Sequence, residues 1–123
     1  QPRARGVFPV QEQQMYGLGL RYEDLVAAVD VVATKPGYGI ISECVANRTA
    51  ILYTSRGRFV EYDVLVAEMP RYLRCQFIPI DDLLKGRWRA ALDRLFARPT
   101  APERAATDGA DVAARMVLEM VKR

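Results

Sequence analysis

Residues 30–43, DVVATKPGYGIISE, constrain the fold of this chain more than any other stretch. Residues 31–34 are apolar and rich in β-branched side chains, which is typical of a short buried strand in a parallel sheet. Pro36 cannot donate a ladder hydrogen bond, so we expect the strand to end there in a tight glycine turn. Residues 40–46 then predict a helix, whose first backbone N–H groups and dipole favour a bound anion.

Three residues of this stretch have a functional interpretation and a purely structural one. Gly37 and Gly39 are expected to allow positive φ angles and the close approach of a ligand. Glu43 is expected in the first helical turn, from which its carboxylate would reach sugar hydroxyls rather than phosphate. Equally, Gly37-Tyr38-Gly39 fits an ordinary strand-to-helix turn, because the full GxGxxG pattern is absent, and Glu43 fits a solvated acid. The residues alone leave both interpretations open.

The rest of the chain alternates helical and strand patterns. Helices are predicted at 22–29, 60–69, 88–97 and 110–122, and further apolar strands at 50–54 and 74–78. Pro70 is expected to end the helix that precedes it. Residues 99–108 predict an irregular linker, and residues 15–20 fit either a strand or a loop. The alternation predicts an α/β fold, with βαβ units, right-handed crossovers and a small parallel sheet flanked by helices.

Three strands make a small sheet for a fold of this class. An exposed parallel edge invites association, so we interpret residues 15–123 as part of a Rossmann-like domain, preceded by a lead-in segment at 1–14. The exposed edge and an uncovered apolar face also predict a homo-oligomer.

The composition excludes several kinds of site. The formal net charge of +3 and the pI near 9.1 fit a phosphate-bearing ligand without selecting one. The absence of histidine excludes Ser-His-Asp chemistry and histidine-based metal sites. Cys44 and Cys75 are interpreted as reduced thiols of a cytoplasmic protein, with a disulfide as the alternative. No run of residues is long and apolar enough to predict a membrane span.

The candidate ligand site lies where the three predicted strands end, because open parallel sheets bind ligands beyond the carboxyl ends of their strands. The charged residues expected there are Lys35, Glu43, Arg56, Arg58 and Glu61. Cations and amides suit a diphosphate, and carboxylates suit the hydroxyl groups that flank it. The alternatives are exposed loop charges for the arginines and a helix-start acid for Glu61. No Asp-x-Asp pair occurs, so no metal is predicted.

The stretch 30–43 resembles the donor-binding C-terminal half of GT-B glycosyltransferases, near the bacterial N-acetylglucosaminyltransferases that act on lipid I. It is also similar to the glycosyltransferase-like N-terminal region of plant L-arabinokinases. There, Lys-x-Gly-Tyr-Gly, a Ser-Glu pair and a later Arg-x-x-Phe-x-Glu run recur, and this last run stands here at 56–61. The resemblance covers residues 22 to about 96 and is specific in residues 35–43.

The resemblance implies a UDP-sugar donor and a role for each candidate residue. The turn under the diphosphate would comprise Gly37, Tyr38 and Gly39, with Lys35 and Arg56 on the phosphates, Glu43 on the ribose, and Arg58 and Glu61 on the transferred sugar. The sugar would be a hexose or N-acetylhexosamine, the acceptor is unknown, and no cofactor or metal is implied. The family's general base usually lies in an acceptor domain without a counterpart here, so no catalytic residue is assigned and the chain alone is expected to be inactive. The resemblance also allows a peripheral membrane association of a longer parent protein.

Two other functions compete with donor binding. One is a non-catalytic module that serves regulation or assembly. The other is nucleic-acid binding through the arginines around Trp88, which we rank lower because the positive charge is modest and no recognition motif is present. We therefore expect no nucleic-acid partner.

Overall fold

Three short strands form a parallel sheet at the centre of the molecule, in a computed structural model that describes residues 6–55, 57 and 60–122. The strands are β1 (Val31–Thr34), β2 (Ala50–Tyr53) and β3 (Cys75–Phe77), in the spatial order β1-β2-β3. Val31 lies opposite Ala50, and Ile51 lies opposite Cys75. The three predicted strands and the α/β parallel-sheet class are confirmed.

Helices flank this sheet and account for most of the remaining described residues. They are α1 (Glu12–Gly17), α2 (Tyr22–Ala28), α3 (Tyr38–Asn47), α4 (Tyr62–Tyr72), α5 (Ile80–Leu84), α6 (Arg89–Ala97) and α7 (Gly109–Val121). The predicted linker at 99–108 contains no helix or strand.

Alternating residues of β2 feed two separate apolar clusters, as the period of two along a strand requires. Ile51 packs with side chains of α2, α3 and α4 on one face, including Val26, Cys44 and Met69. Leu52 packs on the other face with Ile78 and with the buried side of α6. Both faces of β2 are covered, so the strand is buried almost throughout. The helices on both sides of the sheet pack against it.

Strand β1 is covered less completely than β2. Helix α6 packs on β2 and β3, and Ala33 of β1 remains exposed on that side. A small apolar cavity of about 190 Å³ lies there, between β1, α5 and α6, with Trp88 and Leu92 in its wall. Both β1 and β3 are edge strands, so the predicted homo-oligomer stays a prediction that rests on these edges.

Two local predictions were wrong. Residues 12–17 form α1, where the sequence suggested a lead-in segment followed by a strand or loop. The helix forms because Met15 is buried and the Tyr16 hydroxyl donates to the Glu12 carboxylate across one turn.

Pro70 lies inside α4 and does not end it. The helix continues because Met69 and Leu73 are both buried, which draws the final turn onto the core.

The helix predicted at 110–122 is confirmed as α7, but it does not pack into the core. None of its residues is buried, and Met116 and Met120 are 63% and 72% exposed. The helix therefore presents its apolar stripe to solvent in this chain.

Candidate functional site

The loops that follow β1 and β2 bring two predicted site residues together at the carboxyl ends of the strands. Tyr38 begins α3, and Glu61 is the N-cap residue of α4. The Glu61 carboxylate lies beside the Tyr38 hydroxyl, and its interaction with that hydroxyl raises the pKa of Tyr38 above its usual value of 10.0. The structure thus joins the turn residue that would lie beneath a diphosphate to the carboxylate predicted to contact the sugar.

The glycine turn differs from its prediction in backbone conformation. Gly37 is extended, with φ −158° and ψ 156°, and Gly39 lies within α3. The expectation of positive φ angles at these two positions is therefore wrong, since an extended residue needs no glycine. What the small residue supplies is space, because a Cβ placed on Gly39 would meet nothing within 4 Å. A ligand can therefore approach the backbone of the first helical turn.

Helix α3 begins two residues earlier than predicted and starts without a side-chain cap. Its first internal hydrogen bond runs from the Ile41 N–H to the Gly37 carbonyl, at 3.1 Å. Within the part of the chain that the structure describes, no side chain caps this end, so the N–H groups of Tyr38, Gly39 and Ile40 lack a partner. Free amides and the positive end of the helix dipole together favour an anion at this point.

Glu43 does not lie in the first turn of α3, as the sequence had indicated. It is the sixth residue of the helix and half-buried, about 7 Å along the axis from the first residue. Burial is the main cause that raises the pKa of the Tyr22 phenol on α2, and the charge of Glu43 makes a smaller contribution. Glu43 therefore lies near enough to α2 for its charge to act on Tyr22.

Of the three predicted cations, Lys35 is the one that the structure describes. Lys35 is exposed directly after β1, and no carboxylate of the described chain forms an ion pair with it. Arg56 and Arg58 lie outside the described residues. Among the described residues, the positive charge at this end comes from Lys35 and the α3 amides.

Thr54 was not among the predicted site residues. It is a polar side chain directly after the apolar strand β2. Its backbone N–H donates to the Thr34 carbonyl, which places it between the ends of β1 and β2. The side chain is 1% exposed, and its Oγ1 has no hydrogen-bond partner. A buried polar atom without a partner costs about 1–3 kcal/mol, so this hydroxyl needs a structural or functional explanation. The signal in the sequence was one hydroxyl residue ending the run Ala-Ile-Leu-Tyr-Thr.

A larger cavity, of about 800 Å³, lies at the opposite end of the sheet. It lies beside Asp30 and Arg74, which precede β1 and β3, and the 99–108 linker forms one of its sides. The linker folds back because the Arg71 guanidinium pairs with the Glu103 carboxylate at 2.9 Å. None of the predicted site residues lines this cavity, and none lines the small cavity beside β1.

The two cysteines are free thiols, as predicted, and both are buried. Burial, and to a lesser degree the charge of Glu43, raises the pKa of Cys44 to about 11. Burial also raises the pKa of Cys75. Neither thiol is therefore prepared for nucleophilic chemistry near neutral pH.

The described residues contain no group of three or more side chains that could ligate a metal ion. A search of the same residues finds no helix with the length and hydropathy of a membrane span.

Comparison with known proteins gives one distant relative. L-arabinokinase of Arabidopsis thaliana is 29% identical to this chain over 97 residues. The similarity covers 78% of this chain and 9% of that protein. No family model matches the chain, and no solved structure matches it. The chain is therefore distantly similar to one region of L-arabinokinase.

Proposed function

We propose that this chain is the donor-binding part of a glycosyltransferase, which holds a UDP-sugar for transfer of a hexose or N-acetylhexosamine. The observation that carries the proposal is the uncapped start of α3, where three backbone N–H groups face the carboxyl edge of a parallel sheet. This is the edge at which open α/β sheets bind nucleotides. The similarity to a region of L-arabinokinase supports the proposal, because it extends across this edge of the chain.

The diphosphate of the donor would cap α3. The amides of Tyr38, Gly39 and Ile40 would each donate to phosphate oxygens, and the Lys35 ammonium would add a nearby positive charge. In the parent enzyme these groups would stabilise the charge that develops on the departing diphosphate, which is electrostatic catalysis from a fixed frame. The residues of this chain would bind and orient the donor through non-covalent contacts, and they would form no covalent bond with it.

The ribose would lie along the flank of α3. A nucleotide whose diphosphate caps the helix can extend past the first turn, where Glu43 is half-buried. Among the described residues, no donor forms a hydrogen bond with the Glu43 carboxylate, and Asn47 bonds only its backbone carbonyl. This carboxylate would then accept hydrogen bonds from the two ribose hydroxyls. Glu61 would exchange its interaction with the Tyr38 hydroxyl for a hydrogen bond with a sugar hydroxyl, or keep both, since a carboxylate has capacity for several donors.

Calorimetric titration of the chain with UDP and with UDP-sugars tests the proposal. Binding should weaken in Lys35→Ala and Glu43→Ala, and it should be unchanged in the matched control Glu119→Ala, whose carboxylate lies on α7. Failure of both the isolated chain and a longer parent protein to bind UDP at millimolar concentrations would refute the proposal. Binding by the parent alone would show that the donor site needs residues outside this chain.

A non-catalytic role in regulation or assembly is the second candidate. The observation that favours it is the closeness of the Tyr38 hydroxyl to the Glu61 carboxylate, which sets two predicted ligand contacts against each other. If the loops are held closed in this way, NMR should show no change at Tyr38 or Gly39 when UDP is added, even in the parent protein.

A further inference from the structure

We propose a second binding site at the amino ends of the strands, for a small organic anion that carries an apolar group. The proposal does not depend on the donor site, because the two lie at opposite ends of the sheet and share no lining residue.

The shape of the cavity fits a small molecule. Its volume of about 800 Å³ falls within the range of roughly 300–1,000 Å³ that is usual for ligand pockets. Val45, Leu73 and Phe96 give it apolar walls from α3, from the end of α4 and from α6. The 99–108 linker forms one side of the cavity and is held there from outside by Arg71, whose Nη2 lies 2.9 Å from one Glu103 oxygen and 3.2 Å from the other. The cavity is open to solvent, and its linker side is positioned by contacts within the chain.

The charge of the cavity favours an anion. Arg48, Arg74 and Arg104 all line it, against the two carboxylates Asp30 and Glu103. Both oxygens of Glu103 are already taken by Arg71, which stands outside the cavity. Throughout the described ranges, no carboxylate forms an ion pair with Arg48 or Arg104. Two cations therefore face this space without neutralising partners, and a bound phosphate or carboxylate would supply them.

The backbone of Arg48 gives an independent reason to assign it a role. Arg48 ends α3 in the left-handed region, with φ 57° and ψ 33°, and it is the one non-glycine residue of the described chain with positive φ. Helix ends of this kind usually carry glycine, because a Cβ is strained in that conformation. An arginine at a strained position beside a cavity points to a function for its side chain.

The ligand class follows from these two properties. The guanidinium groups select a phosphate or carboxylate, and the walls from α3, α4 and α6 select an aryl or alkyl group attached to it. Asp30 lines the same space, and no ion pair or hydrogen bond of the described residues engages its carboxylate. It would accept a hydrogen bond from a hydroxyl or amine on the ligand and disfavour a second negative group.

Phenyl phosphate is the probe, titrated into the 123-residue chain and followed by NMR of backbone amides and arginine side chains. We expect saturable shifts at Arg48, Arg104 and Val45, and little change at the start of α3. Arg48→Gly should weaken binding about tenfold, since it removes a charge-assisted hydrogen bond, while thermal unfolding stays the same or moves to higher temperature. Arg104→Gln, in the linker and away from the core, should weaken binding similarly.

Two controls make the result decisive. Arg89→Gln removes an arginine at the start of α6, outside the cavity, and should leave the affinity unchanged. Inorganic phosphate should bind more weakly than phenyl phosphate. The proposal is overturned if the shifts do not saturate at millimolar concentrations, if Arg89→Gln weakens binding as much as Arg48→Gly, or if inorganic phosphate binds as tightly as the aryl ester.

Discussion

A buried threonine lies at each end of β2, and the two differ in hydrogen bonding. Thr49 precedes the strand and Thr54 follows it, and both are almost completely buried, at 3% and 1% exposure. The Thr49 hydroxyl donates to the Val26 carbonyl at 2.8 Å and so fastens α2 to the sheet. The Thr54 hydroxyl has no partner. The amino end of the strand thus uses its buried threonine hydroxyl in a hydrogen bond, and the carboxyl end leaves its own without a partner among the described residues.

The same contrast extends to the surrounding elements. At the carboxyl end, within the described ranges, three backbone amides of α3 have no hydrogen-bond partner and Lys35 forms no ion pair. At the amino end, Arg71 and Arg74 use hydrogen bonds to hold the returning linker at Glu103 and Thr100. One end offers backbone donors from a few consecutive residues, and the other borders a cavity lined by residues from distant parts of the chain. The two proposed anion sites would therefore differ in construction although they share one short parallel sheet.

The largest expected effect tests whether both ends depend on one frame. Ile51→Ala should lower the free energy of unfolding by about 2–5 kcal/mol, because Ile51 is fully buried in the middle of the sheet. Urea denaturation measures this, and Val64→Ala, at an exposed position of α4, is the control with an effect within about 0.5 kcal/mol. Amide exchange should accelerate at both ends in Ile51→Ala. Acceleration at one end alone would show that the ends are stabilised separately.

The next effect concerns ligand binding at the carboxyl end alone. In the intact parent protein, Glu43→Ala should weaken UDP-sugar binding by roughly 1–3 kcal/mol, because the ribose hydroxyls lose a charged acceptor. Calorimetry provides the affinity, and Arg48→Gly, at the opposite end, should not change it. An unchanged affinity in Glu43→Ala would return this residue to the solvated-acid interpretation.

The two threonines allow the sharpest form of the comparison. Thr54→Val removes a buried hydroxyl without a partner, so it should raise the free energy of unfolding by about 1 kcal/mol. Thr49→Val removes a partner from the buried Val26 carbonyl and should lower it by about 1–3 kcal/mol. Chemical denaturation of the two variants in the same buffer compares the signs. Destabilisation by Thr54→Val would mean that its hydroxyl is satisfied in solution.

A smaller effect is expected for the ion pair that holds the linker. Arg71 and Glu103 are about half exposed, so a double-mutant cycle with Arg71→Gln and Glu103→Gln should give a coupling energy of roughly 0.2–1 kcal/mol. The coupling should decrease as salt is added, because exposed charges are screened. A coupling that is independent of salt would contradict the exposed geometry.

The smallest effect lies in the titration of Tyr38. Its pKa is raised in the folded state, so the contribution of the interaction with Glu61 is present below the usual tyrosine pKa of 10.0 and is lost as the pH rises through the raised value. Glu61→Gln should return the pKa of Tyr38 toward 10.0, which ¹³C NMR of the tyrosine ring can follow. A titration identical in Glu61→Gln would mean that the two loops are not joined in solution.

Local patterns in the sequence predicted the sheet and most helices, because each strand is short, mostly apolar and followed within four residues by glycine or proline. They failed where distant contacts override local preference. Pro70 stays helical because neighbouring side chains enter the core, and residues 12–17 become helical around the buried Met15. The amino-end cavity was not predictable, since it depends on Arg71 meeting Glu103, 32 residues later. At the carboxyl end, the strand-to-helix turn was predicted correctly, but the φ angles of its glycines and the position of Glu43 beyond the first turn of α3 were not.

Helix α7 has a consequence for the integrity of the molecule. None of its residues is buried, so cleavage between residues 104 and 108 would separate it while leaving both apolar clusters intact. A protease would thus trim the chain to a shorter body of equal melting temperature rather than digest it. The trimmed body would also lose Met116 and Met120, two oxidisable side chains that the full chain exposes to water.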